Sequence, residues 1–130
     1  MRFLLDANVL IAWGVQQHPQ HQKIIDFVAA NNATFLICPV AQGALFRYCL
    51  RNGRSVRDTA NLCESLSAFR LNEWVPDSIP YENANWDGVR GHKQVTDVYL
   101  AELAAANDAK LLTLDEGIVA LRPESTFLLA

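Results

Sequence analysis

Positive charge is in short supply in this sequence. Eleven Lys and Arg stand against fourteen Asp and Glu, for a formal net charge of −3. A protein that grips nucleic acid through an overall basic surface is therefore excluded, because such binding draws its affinity from phosphate neutralisation. Any basic contact must be local. Long apolar runs are also absent: no stretch reaches the roughly 18 residues that a membrane helix needs. The opening Met1-Arg2 runs straight to Asp6 without an apolar signal core, so no membrane and a cytoplasmic location are expected. Cysteine is sparse, and Cys38, Cys49 and Cys63 are odd in number with no C-x-x-C pair. That excludes both a disulfide framework and a zinc knuckle. His18 and His21 have ligand spacing but stand in polar sequence with no matching Cys or His, which argues against zinc. No repeat, linker or low-complexity tract divides the chain, and residues 1–130 read as one domain with enough apolar content for a real core.

What the sequence does contain is an alternation of short apolar runs and helical patterns. Phe3-Leu4-Leu5 reads as a buried strand stopped by Asp6-Ala7-Asn8, followed by a helix over Val9–Val15. After the break at Gln16-Gln17-His18-Pro19, Ile24, Ile25, Phe27 and Val28 recur at helical spacing up to Asn31-Asn32. Phe35–Cys38 is a second strand. Pro39 then opens a helix carrying Val40, Ala44, Leu45, Tyr48 and Cys49, closed by Asn52-Gly53. Ser55-Val56-Arg57-Asp58 has capping-box spacing and starts another helix. Glu73–Pro76 suggests a short strand, and Asp77–Gly91 a loop with a short helical piece. Val95 to about Asn107 is a further helix, Leu111–Leu114 a strand ending at Asp115, and Phe127–Leu129 a last strand. This alternation predicts an α/β domain with a parallel sheet.

Two acids, Asp6 and Asp115, directly follow predicted strands. In open α/β sheets, ligands bind beyond the carboxyl ends of the strands. Asp97 falls in the first turn of its helix and can point at the same place. Each acid alone has an ordinary explanation as a helix cap, a turn residue or a partner of the helix dipole. Three converging carboxylates are different. At about 4 Å and an effective dielectric near 20, each pair repels by about 4 kcal/mol. Such a cluster needs a cation, and hard oxygen ligands select Mg²⁺ or Mn²⁺ over zinc.

The segments around these acids resemble the PIN-domain family. Phe3-Leu4-Leu5-Asp6-Ala7-Asn8-Val9-Leu10 resembles its D-x-N-x-L opening. Val95–Ala104, with Asp97, resembles its later aspartate segment, and Leu112-Thr113-Leu114-Asp115 resembles its closing T-x-D. Order, spacing and length are similar to VapC-type toxins of toxin–antitoxin pairs over essentially the whole chain. The resemblance implies a three-layer domain with a central, mainly parallel sheet flanked by helices. It also implies a Mg²⁺ or Mn²⁺ site at Asp6, Asp97 and Asp115, endonucleolytic cleavage of RNA, a homodimer and a cognate antitoxin. Trp13 and the apolar face of the first two helices are the expected antitoxin contacts.

One position departs from the family pattern, which commonly places a Glu where Gln42 stands. An amide oxygen can ligate or orient water but carries no charge. Glu116 is a candidate to supply a fourth carboxylate. Asn8 and Thr113 are further candidates to orient Asp6, Asp115 or a water. Arg47 and Arg51, four apart on one helical face, and His92 with Lys93 are candidate RNA contacts, against the plainer reading of a solvated surface. The main rival reading is a catalytically weak PIN-like module for RNA binding or protein interaction. A phosphatase with an aspartate nucleophile is disfavoured, because its second Asp would fall at Asn8.

Overall fold

The protein is described by a computed structural model covering residues 1–70 and 72–130. Its strands are β1 (Arg2–Leu5), β2 (Thr34–Ile37), β3 (Glu73–Trp74), β4 (Lys110–Thr113) and β5 (Thr126–Leu128). Its helices are α1 (Ala7–Gly14), α2 (His21–Ala30), α3 (Pro39–Arg51), α4 (Val56–Ser67), α5 (Val95–Ala106) and α6 (Glu116–Leu121), with single 3-10 turns at Tyr81–Asn83, His92–Gln94 and Pro123–Ser125.

The five strands pair in the order β3-β2-β1-β4-β5, every pair parallel. Parallel sheets are covered on both faces by their crossover helices, which is why β1, β2 and β4 are continuous apolar runs and not alternating ones. Phe3, Leu4, Leu5, Phe35, Leu36, Ile37, Leu111 and Leu112 are all buried. Phe3 stacks on Phe35 and meets Phe27 and Phe127 edge-on, joining α2 to the sheet. On the α5 side, Val98, Tyr99, Leu100, Leu103 and Ala104 are buried.

The chain leaves β1 toward β2 and β3, then returns to the other side of β1 for β4 and β5. The switch in strand order therefore lies between β1 and β4. A crevice opens there beyond the carboxyl ends of the two strands, where neighbouring crossovers diverge.

The sequence expectations differ from the structure mainly at element ends. The first helix begins at Ala7, two residues before the expected Val9, because Asp6 itself takes the N-cap. Asn8 accordingly lies inside the helix and not at its cap. The third strand is limited to Glu73–Trp74, although Val75 N–H still donates to Ile37 O at 2.9 Å. The last strand begins one residue early, at Thr126. Helix α4 starts as expected, with Ser55 Oγ accepting from Asp58 N–H at 3.0 Å. Helix α6 had no counterpart in the apolar pattern, being a six-residue helix with Ile118 as its buried residue. Among the described residues, no helix is long and apolar enough to cross a membrane.

Since the central strand carries the core, Leu4→Ala, at a position 0% exposed, should cost about 2–5 kcal/mol in urea unfolding. Phe127→Ala, on an edge strand and 37% exposed, should cost clearly less. Equal losses at the two positions would contradict the burial order described above.

Candidate active site

The pairing of Leu5 with Leu112 sets Asp6 alongside Thr113 on the neighbouring strand. Asp6 N–H continues the ladder to Leu112 O at 3.0 Å. Its carboxylate, only 3% exposed, accepts from Ala7 N–H at 2.7 Å through Oδ1 and from the Thr113 hydroxyl at 2.6 Å through Oδ2. Burial pushes the Asp6 pKa up. The Thr113 and Ala7 donors oppose that rise, and the charge of Asp115 adds to it.

Thr113 also organises the second acid, because its hydroxyl oxygen accepts from Asp115 N–H at 3.0 Å. Asp115 caps α6, with Oδ1 accepting from Gly117 N–H at 2.8 Å. The approach is close, since a Cβ at Gly117 would lie 3.2 Å from Asp115 Oδ1. Asp97 enters from the first turn of α5. Its pKa is pushed up to about 7, chiefly by burial and then by the charges of Asp6 and Asp115. Three acids from β1, α5 and the end of β4 thus share one electrostatic environment.

The cap reading is realised in the geometry at Asp6 and Asp115. Each carboxylate oxygen can accept more than one hydrogen bond or ligand bond, so capping leaves donor capacity on Asp6 and Asp115. The three carboxyls are neighbours without forming a closed cage. Among the described residues, no three His, Cys, Asp or Glu side chains surround one point at ligating distance. The oxygens of the three carboxyls are of the kind a hard cation takes, but they do not meet at one ligating point in this geometry. The donor set is all oxygen. Asn8 Oδ1, two residues beyond Asp6, is buried with no hydrogen-bond partner in the structure, and Asn8 is not among the residues that line the cavity at Asp97 and Asp115.

A cavity of about 210 Å³ opens at this point, lined by Lys93, Gln94, Asp97, Asp115, Gly117, Ile118 and Leu121. It brings in Lys93 from the candidate RNA contacts. His92 shares the same 3-10 turn but does not line the cavity. Glu116 is exposed and also lies outside the lining, its side chain leaving the helix in another direction from that of Asp115. Arg47 and Arg51 are exposed on α3, away from the cavity.

Gln42 has a different partner from the one the sequence suggests. Its Oε1 accepts from Trp74 Nε1–H at 3.1 Å. The reason is topological: α3 follows β2, and β3 is the next strand outward, so the first turn of α3 also borders the edge of the sheet. His18 and His21 bond locally, to Gln20 N–H and Ala12 O, in keeping with the exclusion of zinc. Sequence reading missed Gln94, Gly117, Ile118 and Leu121. Only Gly117 left a signal, in the Asp-x-Gly turn that begins α6.

No family model matches the chain. It is 38% identical over 129 residues to the ribonuclease VapC29 of Mycobacterium tuberculosis, covering 99% of this chain and 97% of that relative. It is 26% identical to the ribonuclease VapC38 of the same organism, covering 91% and 88%. Among solved structures, it is similar to M. tuberculosis VapC20, described as a sarcin-ricin loop cleaving toxin, at a TM-score of 0.71 and 11% identity over 92% of this chain and 94% of that one. It is also similar to VapBC2 of Rickettsia felis bound to a promoter DNA fragment, at a TM-score of 0.64 and 17% identity over 98% and 97%.

The raised Asp97 pKa has a consequence for stability. Asp97 ionises near 3.8 when unfolded and near 7 when folded. Below the lower value both states hold the proton. Between the two values the folded state keeps a proton that the unfolded state has released, so stability falls as pH rises and levels off above about 7. The same sign holds for Asp6. Melting temperature in EDTA should therefore drop between pH 5 and 8, and Asp97→Asn should flatten that slope. A slope unaltered by Asp97→Asn would remove the crowding of charge inferred for the site.

Proposed function

We propose, for a chain that belongs to the VapC family of PIN-domain toxin ribonucleases, that it is an endoribonuclease whose Asp6, Asp97 and Asp115 hold a Mg²⁺ or Mn²⁺ ion. The observation that carries the reading is the convergence of three acids at the strand-order switch, Asp6 buried, Asp97 half-buried and Asp115 exposed, with Asp97 raised to about 7 by burial and by the charges of the other two. When bound, such a cation supplies charge neutralisation for a phosphodiester and a lowered pKa for an attacking water.

The chain's own groups then have distinct tasks. Asp6 is the fixed ligand, held by Thr113 and Ala7 so that little reorganisation is needed. Asp97, pushed up to about 7 by burial and by the charges of Asp6 and Asp115, is the acid whose ionised form a bound cation would favour. Asp115 is oriented from both sides, by Thr113 through its backbone and by Gly117 at its carboxylate. Lys93 stands at the rim of the same cavity, a point charge suited to an RNA phosphate. This offsets the negative net charge locally. Gln42, bonded to Trp74, is assigned no ligand role.

The reading extends to partners. A toxic nuclease requires silencing, and the match to a VapBC assembly supports an antitoxin encoded alongside. Its expected seat is the apolar groove of about 330 Å³ formed by Trp13, Ile25, Val28, Ala29, Phe69 and Arg70. A homodimer and a cytoplasmic location complete the proposal.

Purified protein should cleave RNA with added Mg²⁺ or Mn²⁺ and stop in excess EDTA, and Asp6→Asn should abolish most of the activity. Full activity in either condition would overturn the metal-site reading. Lys93→Ala should raise KM for RNA more than it lowers kcat, which steady-state kinetics would resolve. Expression of the chain alone should arrest growth, with relief on co-expression of the neighbouring gene.

A further inference from the structure

We infer that Arg122 is a positioning residue that fixes the distance between the two helices carrying Asp97 and Asp115. The inference rests on the function proposed above. It begins from an oddity of burial: Arg122 is 7% exposed, and no acid forms a salt bridge with it among the described residues. A buried guanidinium is costly unless its donors are used. Here they go to main-chain carbonyls. Nη2 donates to Asn85 O at 2.9 Å and to Asp87 O at 2.8 Å, and Nη1 donates to Leu121 O at 3.0 Å. Nε is buried without a partner.

The loop that Arg122 grips, residues 84–94, leads directly into α5 and Asp97. It is fastened to α5 at its start, where Asn85 N–H donates to Glu102 Oε1 at 2.6 Å. Its end is closed by Gln94 Oε1, which accepts from Arg90 N–H at 2.6 Å and Gly91 N–H at 3.3 Å. Loop and α5 are therefore one unit. Helices α5 and α6 make few direct contacts with each other. Among the described residues, the side-chain hydrogen bonds between the end of α6 and this loop all come from Arg122.

A second contact lies beside it. Gly88 has φ +81°, and a Cβ there would meet Leu121 Cδ1 at 2.9 Å. Leu121 lines the cavity together with Lys93, Gln94, Asp97 and Asp115. One wall of the cavity, from the loop, and the other, from α6, are thus clamped together by Arg122 and by the close seating of Gly88 on Leu121. The clamp also places Lys93 opposite α6. A buried charge that grips backbone on two elements fixes their relative geometry, because its donors reach carbonyls of both at once.

Arg122→Met removes that grip. It should stay folded but melt somewhat lower, because the Asn85 and Asp87 carbonyls lose their donor, and release the loop, so that trypsin cuts after Arg90 about tenfold faster in EDTA. Calorimetry should show Mn²⁺ bound about tenfold more weakly, and kcat for RNA should fall by at least about tenfold, with KM rising as well because Lys93 is freed with the loop. Arg122→Lys, which keeps the charge and can reach one of the carbonyls, should recover part of the loss. Gly88→Ala should give the same pattern from the other side of the clamp, and serves if Arg122→Met does not fold. A folded variant with wild-type Mn²⁺ affinity and kcat overturns the inference and leaves the nuclease reading standing. A wild-type protein that neither binds Mn²⁺ nor cleaves RNA overturns both.

Discussion

The hydrogen bond from the Thr113 hydroxyl to the buried Asp6 carboxylate ties the site to the fold. It spans 107 residues of sequence at 2.6 Å, and it exists because β1 and β4 are neighbours in register. The same oxygen of Thr113 accepts from Asp115 N–H, so a single side chain sets the direction of two acids. Losing the hydroxyl would leave a desolvated carboxylate with one donor fewer, the costly direction of change for a buried polar group. Parallel pairing of the two strands is therefore also the assembly of the site.

Around that bond the protein accepts an electrostatic penalty. Burial raises the proton affinity of Asp6 and Asp97, and neighbouring charge adds to it, from Asp115 at Asp6 and from Asp6 and Asp115 at Asp97. Helix caps soften it: Asp6 and Asp115 each take a backbone N–H at the start of α1 and α6, where the helix dipole favours negative charge. A carboxylate held by a cap is pre-oriented. The cost is concentrated on Asp97, whose helix offers it no cap.

The positive side of the balance is equally local. With fewer basic than acidic residues overall, the placement of single cations matters. Lys93 reaches the cavity because a 3-10 turn precedes α5, whereas the more numerous arginines of α3 do not. Arg122 acts on backbone, holding the loop that carries Lys93. In both cases loop conformation decides which charge counts.

The sequence by itself determined the layered α/β class and the placement of Asp6 and Asp115 at strand ends, because a parallel strand must be apolar throughout and its end is marked by the first acid. It also determined that Asp97 begins a helix. Local patterns of that kind depend on periodicity within one element, and periodicity is written in the chain. What only the tertiary structure decided were relations between elements: the strand order that puts β4 beside β1, the sharing of Thr113 by two acids, the partnering of Gln42 with Trp74 and the grip of Arg122 on a loop some 35 residues earlier. Gln42 shows the reason most clearly. Its place in the first turn of α3 was legible, but the direction of its side chain depended on β3 lying next to β2, and strand adjacency is fixed by the packing of the whole sheet.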